Sequence, residues 1–365
     1  MKQYDIILTV TNDLNYDQRM QRICTSLAKG GYNILLVGRT RPDSIPLKEQ
    51  PFKQKRLGLF FDKGFAFYAE YNIRLFIFLF FTPAKAYYAV DLDTILPNLA
   101  ASILFKKKRL YDAHELFTEQ KEVVTRPKVH RFWLWVERIS VPRYQYGYTV
   151  NHFIKEELER RYGVKYEVIS NMPFKKNYPA NTSSDEPFIL YQGAVNEGRS
   201  FETLIPAMKW VNAKLLICGK GNMYEEVKRL VAYHKLEDKV EMRGYVSPDE
   251  LKTITPKAAF GLTLFEATGL NQYYSLCNRF FDYIMAGIPQ LCVNYPEYKI
   301  INDQHNIALM IDDVKSETIS AAMNRLLTDK DLQQTLQQNT ASAKEVYNWE
   351  SEEIKLLAYW KNIFI

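Results

Sequence analysis

Arg279 and Asp282 stand one helical turn apart in the stretch Asn271-Gln-Tyr-Tyr-Ser-Leu-Cys-Asn-Arg-Phe-Phe-Asp-Tyr-Ile-Met-Ala-Gly-Ile-Pro. The pattern puts uncharged polar groups, a cation and a carboxylate at the head of a helix that Gly287 ends and Pro289 keeps from continuing. Asn278 and Arg279 would occupy its first turn, where unpaired N–H groups and the positive end of the helix dipole favour phosphate. Arg279 adds a charge-assisted donor, and Asp282 is placed to accept two hydrogen bonds from a diol such as a ribose. These residue types suit a nucleoside diphosphate. Packing alone, an aromatic-rich helix start with a glycine end, remains the competing reading.

Two further sets carry polar chemistry at the ends of predicted strands, where α/β folds build their sites. One is Tyr111-Asp-Ala-His-Glu-Leu-Phe-Thr-Glu, with His114 and Glu115 just past a short strand, preceded by Asp91-Leu-Asp93. The other is Tyr191-Gln-Gly193-Ala-Val-Asn-Glu-Gly-Arg199, at a strand-to-helix turn, followed later by Cys218-Gly-Lys-Gly221. A lone histidine is more often structural than catalytic, and glycine pairs mark many ordinary turns.

The 271–289 stretch resembles the nucleotide-sugar motif of glycosyltransferase family 4, retaining enzymes of the GT-B architecture. That motif reads Glu, seven residues, Glu, then Ala-Met-Ala-x-Gly-x-Pro. Counting back from Gly287 aligns Asp282 with the ribose-binding glutamate and Tyr274 with the one that binds donor-sugar hydroxyls. Tyr274 departs from the usual acid but is similar to a branch reading Tyr-Ser-Leu-x-Asn-Lys-Phe-x-Glu-Tyr. The segment around His114 resembles that branch's Tyr-Asp-Ser-His-Glu-Leu-Phe, and Asp91-Leu-Asp93-Thr its Asp-Leu-Asp-Thr. In the 191–202 segment Arg199 matches a diphosphate-binding lysine, whereas Ala194 replaces a second cation. Asn12-Asp13 replaces the glycine pair of the opening loop.

The resemblance implies donor contacts by Tyr274, Ser275, Asn278, Arg279, Asp282, Gly193 and Arg199. It implies catalytic roles for His114, Arg199 and Arg279, the two arginines stabilising a departing diphosphate. Acceptor or sugar positioning falls to Asp93, Glu115, Asn12 and Asp13. No metal ligand and no cofactor is implied; the donor is a nucleotide-diphosphate sugar, with a UDP-sugar favoured on the family's base rate.

These groups need two scaffolds. At 365 residues the chain is too long for one typical domain. Residues 1–172 read as a Rossmann-like acceptor-binding domain: a strand over 6–10, a helix from Asp17 with Met20, Ile23, Cys24 and Leu27 at helical spacing, a strand over 33–37, a helix over 94–105 and a strand over 109–113. Residues 186–348 repeat the rhythm as a nucleotide-sugar-binding domain, with strands over 188–191, 213–218 and 240–243. A polar connector is expected over 177–187. The expected fold is α/β, two doubly wound parallel sheets facing a central cleft. The helix over 349–365, with Ile354, Leu357, Trp360 and Phe364 in an apolar stripe, is expected to pack back on the first domain.

Charge is uneven: residues 1–180 hold 29 Lys and Arg against 18 Asp and Glu, and the rest hold 19 against 24. Lys106-Lys-Lys-Arg109 is the densest cluster, and Arg126, Lys128 and Arg131 flank Phe132-Trp-Leu-Trp135. Such groups suit an anionic membrane surface or a polyanionic acceptor, or are simply solvated helix ends beside a core aromatic cluster. The apolar run over 75–81 is short of the ~20 residues of a span, and reads as a buried helix or as one face of an interfacial element. Cys24, Cys218, Cys277 and Cys292 show no framework or zinc spacing, which points to a reduced cytoplasmic setting.

The function expected is transfer of a sugar from a nucleotide diphosphate to a hydroxyl of a glycan or lipid-linked acceptor in cell-surface polysaccharide synthesis, with peripheral membrane contact left open. Two rivals stand beside it. One is a nucleotide-sugar epimerase or hydrolase of the same shape; the other is a catalytically weak glycan-binding or scaffold subunit, suggested by Ala194 and Tyr274. Nucleic acid is not an expected partner, because the basic cluster is short and no RNA-binding aromatic motif accompanies it.

Overall fold

The computed structural model describes residues 3–176, 178 and 186–364. Most of the expected connector over 177–187 lies outside them. The chain divides into two compact units, Met1–Asn171 with Glu352–Ile365, and Met172–Ser351.

The first unit is built on β1 (Tyr4–Thr9), β2 (Ile34–Arg39), β3 (Lys53–Leu57), β4 (Ala84–Val90), β5 (Lys108–Ala113), β6 (Tyr146–Thr149) and β7 (Glu167–Val168). They form one parallel sheet in the order β3-β2-β1-β4-β5-β6-β7. β1 and β2 are apolar on both faces because helices cover both, the condition under which parallel strands lose alternation. β3, Lys-Gln-Lys-Arg-Leu, is a charged edge strand that escapes a search for apolar runs.

The second unit repeats the design with β8 (Phe188–Gln192), β9 (Lys214–Cys218), β10 (Val240–Gly244), β11 (Phe260–Thr263), β12 (Gln290–Val293) and β13 (Ala308–Ile311), ordered β10-β9-β8-β11-β12-β13. The order reverses between β1 and β4 in one unit and between β8 and β11 in the other. Strands diverge at such points and leave room for a ligand outside their carboxyl ends.

Helices behave as their residues dictate, with two corrections. In Gln18–Lys29 the Asp17 carboxylate accepts the Met20 N–H, and Met20, Ile23, Cys24 and Leu27 are buried, but so is Arg19. The run over 75–81 belongs to the longer helix Gly64–Phe81, which is long and apolar enough to cross a membrane by length and composition alone and is not wholly buried: Phe67, Tyr71, Leu75 and Leu79 enter the core of the first unit while other apolar residues face solvent. The terminal helix Trp349–Phe364 turns a different face inward than expected. Ile354 is exposed, and Leu356, Trp360 and Ile363 are buried with Glu352. Glu352 sets that rotation, because its carboxylate accepts the Ser170 N–H at 2.8 Å and the Lys355 ammonium at 2.7 Å.

Candidate functional site

The second unit brings two cations together at its switch point, Arg279 buried and Arg199 half-buried. β8 ends at Gln192 and turns at Gly193, whose φ of 120° is open to glycine and strained for other residues. A side chain at Gly219, after β9, would start 1.8 Å from the Gly193 carbonyl oxygen, and one at Gly221 would start 2.2 Å from the Val195 oxygen. The Cys218-Gly-Lys-Gly221 turn therefore uses its glycines for close contact between two loops.

The turn after β8 delivers Arg199, whose guanidinium lies 4.3 Å from the centre of the Phe265 ring. Arg279, from the first turn of the helix Asn278–Ala286, lies over the same ring at 4.8 Å and over Tyr191 at 4.4 Å. Arg279 is buried, yet its Nε and Nη2 have no hydrogen-bond partner. Its Nη1 donates a long 3.4 Å bond to the Gln192 carbonyl. Among the described residues neither guanidinium is paired with a carboxylate. Burial and the neighbouring Arg279 both push the Arg199 pKa down, as expected of a cation without a counter-ion, whereas at Arg279 burial is outweighed by Tyr191, Cys277, Tyr283 and Tyr298, which raise its pKa. Burying charge without compensation is expensive. The aromatic faces recover part of that through cation–π attraction, and an anion with several oxygens would recover the rest.

Asp282 is half-buried and accepts Gln192 Nε2 at 3.1 Å, while Gln192 Oε1 accepts Thr255 Oγ1 at 2.8 Å. Gly287, with φ of 72°, ends the helix. The Cys277 N–H is already donated to the Tyr298 hydroxyl at 3.1 Å, and Ser275 Oγ lies 3.5 Å from that hydroxyl. Asn278 is exposed, and Tyr274 packs beside Tyr273.

The first unit gathers a different cluster at the ends of β1, β4 and β5. Asp112 and His114 alternate along β5 and its exit, so their side chains share a face. His114 Nε2 lies 2.8 Å from Asp112 Oδ2, and Asp112 Oδ1 takes Arg19 Nη2 at 3.0 Å. Arg19 is buried, donates Nη1 to the Ile169 carbonyl and lies 2.9 Å from His114 Nε2 through its Nε. The Tyr88 hydroxyl donates to Asp112 and receives a bond from Tyr148. Asp91, in the left-handed region at φ 53°, accepts the His114 N–H at 2.9 Å and faces its Nδ1 at 3.8 Å. Thr11 donates to Asp93.

Protonation follows from this order of charges. Burial raises the Asp112 carboxyl, but Arg19 and His114 outweigh it and hold the group at about 2. Burial lowers His114, but Asp112 and Asp91 outweigh it and lift the ring to about 9. Asp91 rises to about 8 and Asp93 to about 6, both mainly through burial. The raised His114 value favours the charged ring, whose Nε2 faces Asp112 and Arg19 Nε and whose Nδ1 faces Asp91.

Two residues expected to position acceptor or sugar have local partners. Asp13 is buried, with its carboxylate taken by Arg56, Ser44 and the Asn15 N–H, and Asn12 donates to Asp17 while its carbonyl accepts the Arg39 N–H. Both hold the loop after β1 in shape. Glu115 accepts Gln120 Nε2 at 3.0 Å and adds negative charge near Asp91. Sequence reading missed Arg19, Asp91 and Asp112. A charge on the apolar face of the Gln18–Lys29 helix and an acid two residues before a candidate histidine were the available signals. Tyr191, Phe265 and Tyr298 gave none, since aromatic core residues look alike.

Residues 174–343, just under half of the chain, match the family model described as glycosyl transferases group 1. No curated protein matches in sequence. Among solved structures, sucrose-phosphate synthase from Thermosynechococcus elongatus superposes with a TM-score of 0.81 at 17% identity, covering 100% of this chain and 99% of that one. Anabaena Alr3699/HepE, in complex with UDP-glucose, gives 0.75 at 10% identity over 98% and 100% of the two chains. WaaG, a glycosyltransferase involved in lipopolysaccharide biosynthesis, gives 0.72 at 12% identity over 96% and 98%. At these identities the likeness is one of fold, and the fold is GT-B.

Proposed function

We propose that this enzyme, whose residues 174–343 match the glycosyl transferases group 1 model, moves a sugar from a nucleotide-diphosphate donor to a hydroxyl of a glycan or lipid-linked acceptor, with retention of the anomeric configuration. The observation that carries the donor class is the pairing of half-buried Arg199 with buried Arg279 over the shared Phe265 ring, with no carboxylate bonded to either among the described residues. A diphosphate supplies the charge and the several acceptor oxygens that pair lacks, and an arginine fork can bind it through two bonds. Asp282, steadied by Gln192, would take the ribose diol. UDP is the base favoured, and the UDP-glucose complex of the Anabaena structure is consistent with that choice.

Breaking the bond between sugar and diphosphate leaves positive charge on the sugar and a dianionic leaving group. The two arginines lower that barrier by stabilising the developing phosphate charge in a site shielded from water. No cofactor enters this scheme. His114, kept charged by Asp112 and Asp91, offers a donor to sugar or acceptor oxygens, with Asp93 as an acceptor. The setting proposed is cytoplasmic, in the synthesis of a cell-surface polysaccharide.

Calorimetric titration of the full chain with UDP and with uridine tests the donor assignment. Arg199→Ala and Arg279→Ala should each weaken UDP by about 1.5–3 kcal/mol, the value of a bond to a charged group, and leave uridine nearly unchanged. Equal losses for both ligands would remove the phosphate role.

A further inference from the structure

The helix Gly64–Phe81 is about 27 Å long at 1.5 Å per residue, and it carries apolar side chains where a surface helix of a globular protein carries polar ones. Its inner stripe, Phe67, Tyr71, Leu75 and Leu79, is fixed in the core of the first unit, so the helix lies along the surface and does not cross anything. Its outward residues include Phe65 at 75% exposure, Ile73, Ile77, Phe80 and Phe81 at 74%. The two charged residues it contains, Glu70 and Arg74, bond each other at 2.7 Å, and Glu70 also accepts the Phe60 and Phe61 N–H groups. Apart from this internally paired couple, the outward face is apolar.

Rings from neighbouring elements extend that face at both ends. Phe65 meets Phe132 at 6.1 Å, and Phe132 lies 6.1 Å from the exposed Trp135 on the helix Pro127–Ser140. At the other end Phe80 meets Phe105 at 5.6 Å, next to exposed Ile103 and Leu104. Exposed cations stand beside both extensions, Lys128 and Arg131 at one and Lys106 and Lys108 at the other. An open groove of about 480 Å³ runs beside the helix, lined by Leu57, Gly58, Arg74, Ile77, Phe78 and Phe81.

We propose that this face docks the first unit on an anionic lipid bilayer, with the outward stripe in the acyl boundary and the flanking cations among the headgroups. Contiguous exposed apolar surface marks a site of association. The charge pattern selects lipid over protein: cations frame the stripe at both ends, which matches a planar anionic layer, and interfacial helices combine these two features. The stripe and groove would take acyl chains and the basic ends phosphate. The inference rests on this surface alone and stands apart from glycosyl transfer.

The test is sedimentation of the full chain with vesicles of phosphatidylcholine, alone and mixed with phosphatidylglycerol. Wild type should pellet with the mixed vesicles at low salt and be released at high salt. Ile77→Glu with Phe81→Glu should lower binding about tenfold or more on the mixed vesicles, while Lys106→Glu with Arg131→Glu should lower it only where phosphatidylglycerol is present. UDP affinity in these variants should match wild type, which separates lipid docking from the donor reading. A direct readout needs no substitution: lipids brominated near the headgroup should quench wild-type tryptophan fluorescence, and Trp135→Phe should remove much of that quenching. Failure of wild type to pellet, variants that pellet like wild type, or a dimer that Ile77→Glu with Phe81→Glu converts to monomer would each overturn the proposal, the last by showing a protein partner on this face.

Discussion

His114 and Asp91 hold protons in the folded chain that the unfolded chain releases. His114 moves from an ordinary value of about 6.5 to about 9, and Asp91 from about 3.9 to about 8. More protons bound in the folded state means stability that falls as pH rises. The Asp91 share is lost between roughly pH 4 and 8; the His114 share is whole below about 6.5 and gone above about 9. The melting temperature should therefore decline steadily from about pH 6.5 to 9.5, and His114→Gln should flatten the upper part of that decline. An unchanged slope in His114→Gln would show that the ring is not the proton carrier. Asp112 titrates near 2 and contributes nothing to this range.

At the scale of elements, the loops after β8 and β9 position the arginine pair by touching. Gly219→Ala places a carbon 1.8 Å from the Gly193 oxygen, backbone against backbone, so one loop must move. Gly193 lies against Arg279 Nη1, with a side chain there starting at 3.3 Å, and the displacement reaches the cation directly. Gly219→Ala should cost about 1–3 kcal/mol of stability, as overpacking does, and weaken UDP along with it. Gly58→Ala is the control, since nothing lies within 4 Å of the added carbon. Chemical denaturation beside UDP titration reads both. Gly219→Ala with wild-type UDP affinity would show that the two loops adjust independently of the arginines.

Across the whole molecule, the chain's last helix completes the first unit rather than the second. Trp360 is buried beside Tyr88 at 6.0 Å, and the Tyr359 hydroxyl bonds both the N–H and the carbonyl of Gly147. Trp360→Ala should cost about 3–5 kcal/mol, the range for truncating a buried aromatic, and should lower the unfolding transition of the first unit while UDP binding by the second persists. A single transition that falls together with UDP binding would show the units to be energetically inseparable. Transfer activity should survive EDTA, because the arginine pair takes the charge-stabilising role. Loss with chelator and recovery with magnesium or manganese would replace that scheme with a metal-assisted one.

The alternation of apolar strands with amphipathic helices made both sheets legible in the chain, because burial on two faces forces continuous apolar runs such as β1 and β9. Charged β3 was invisible for the converse reason: an edge strand need not be apolar. Within the candidate donor site, Arg279, Asp282 and Gly287 could be placed on one helix by spacing alone. Only tertiary structure decided where the guanidinium goes, since Tyr191 and Arg199 come from one other segment and Phe265 from a second, and they meet it only through the strand order. The same holds for Arg19, Asp112 and His114, whose ionisation depends on distances between groups far apart in the chain. The rotation of the terminal helix was likewise not legible, because a buried Glu352 with fixed partners outweighed the apolar preference of Ile354. Periodicity reports which side chains share a face of one element; charge state and pairing depend on which elements fold against each other.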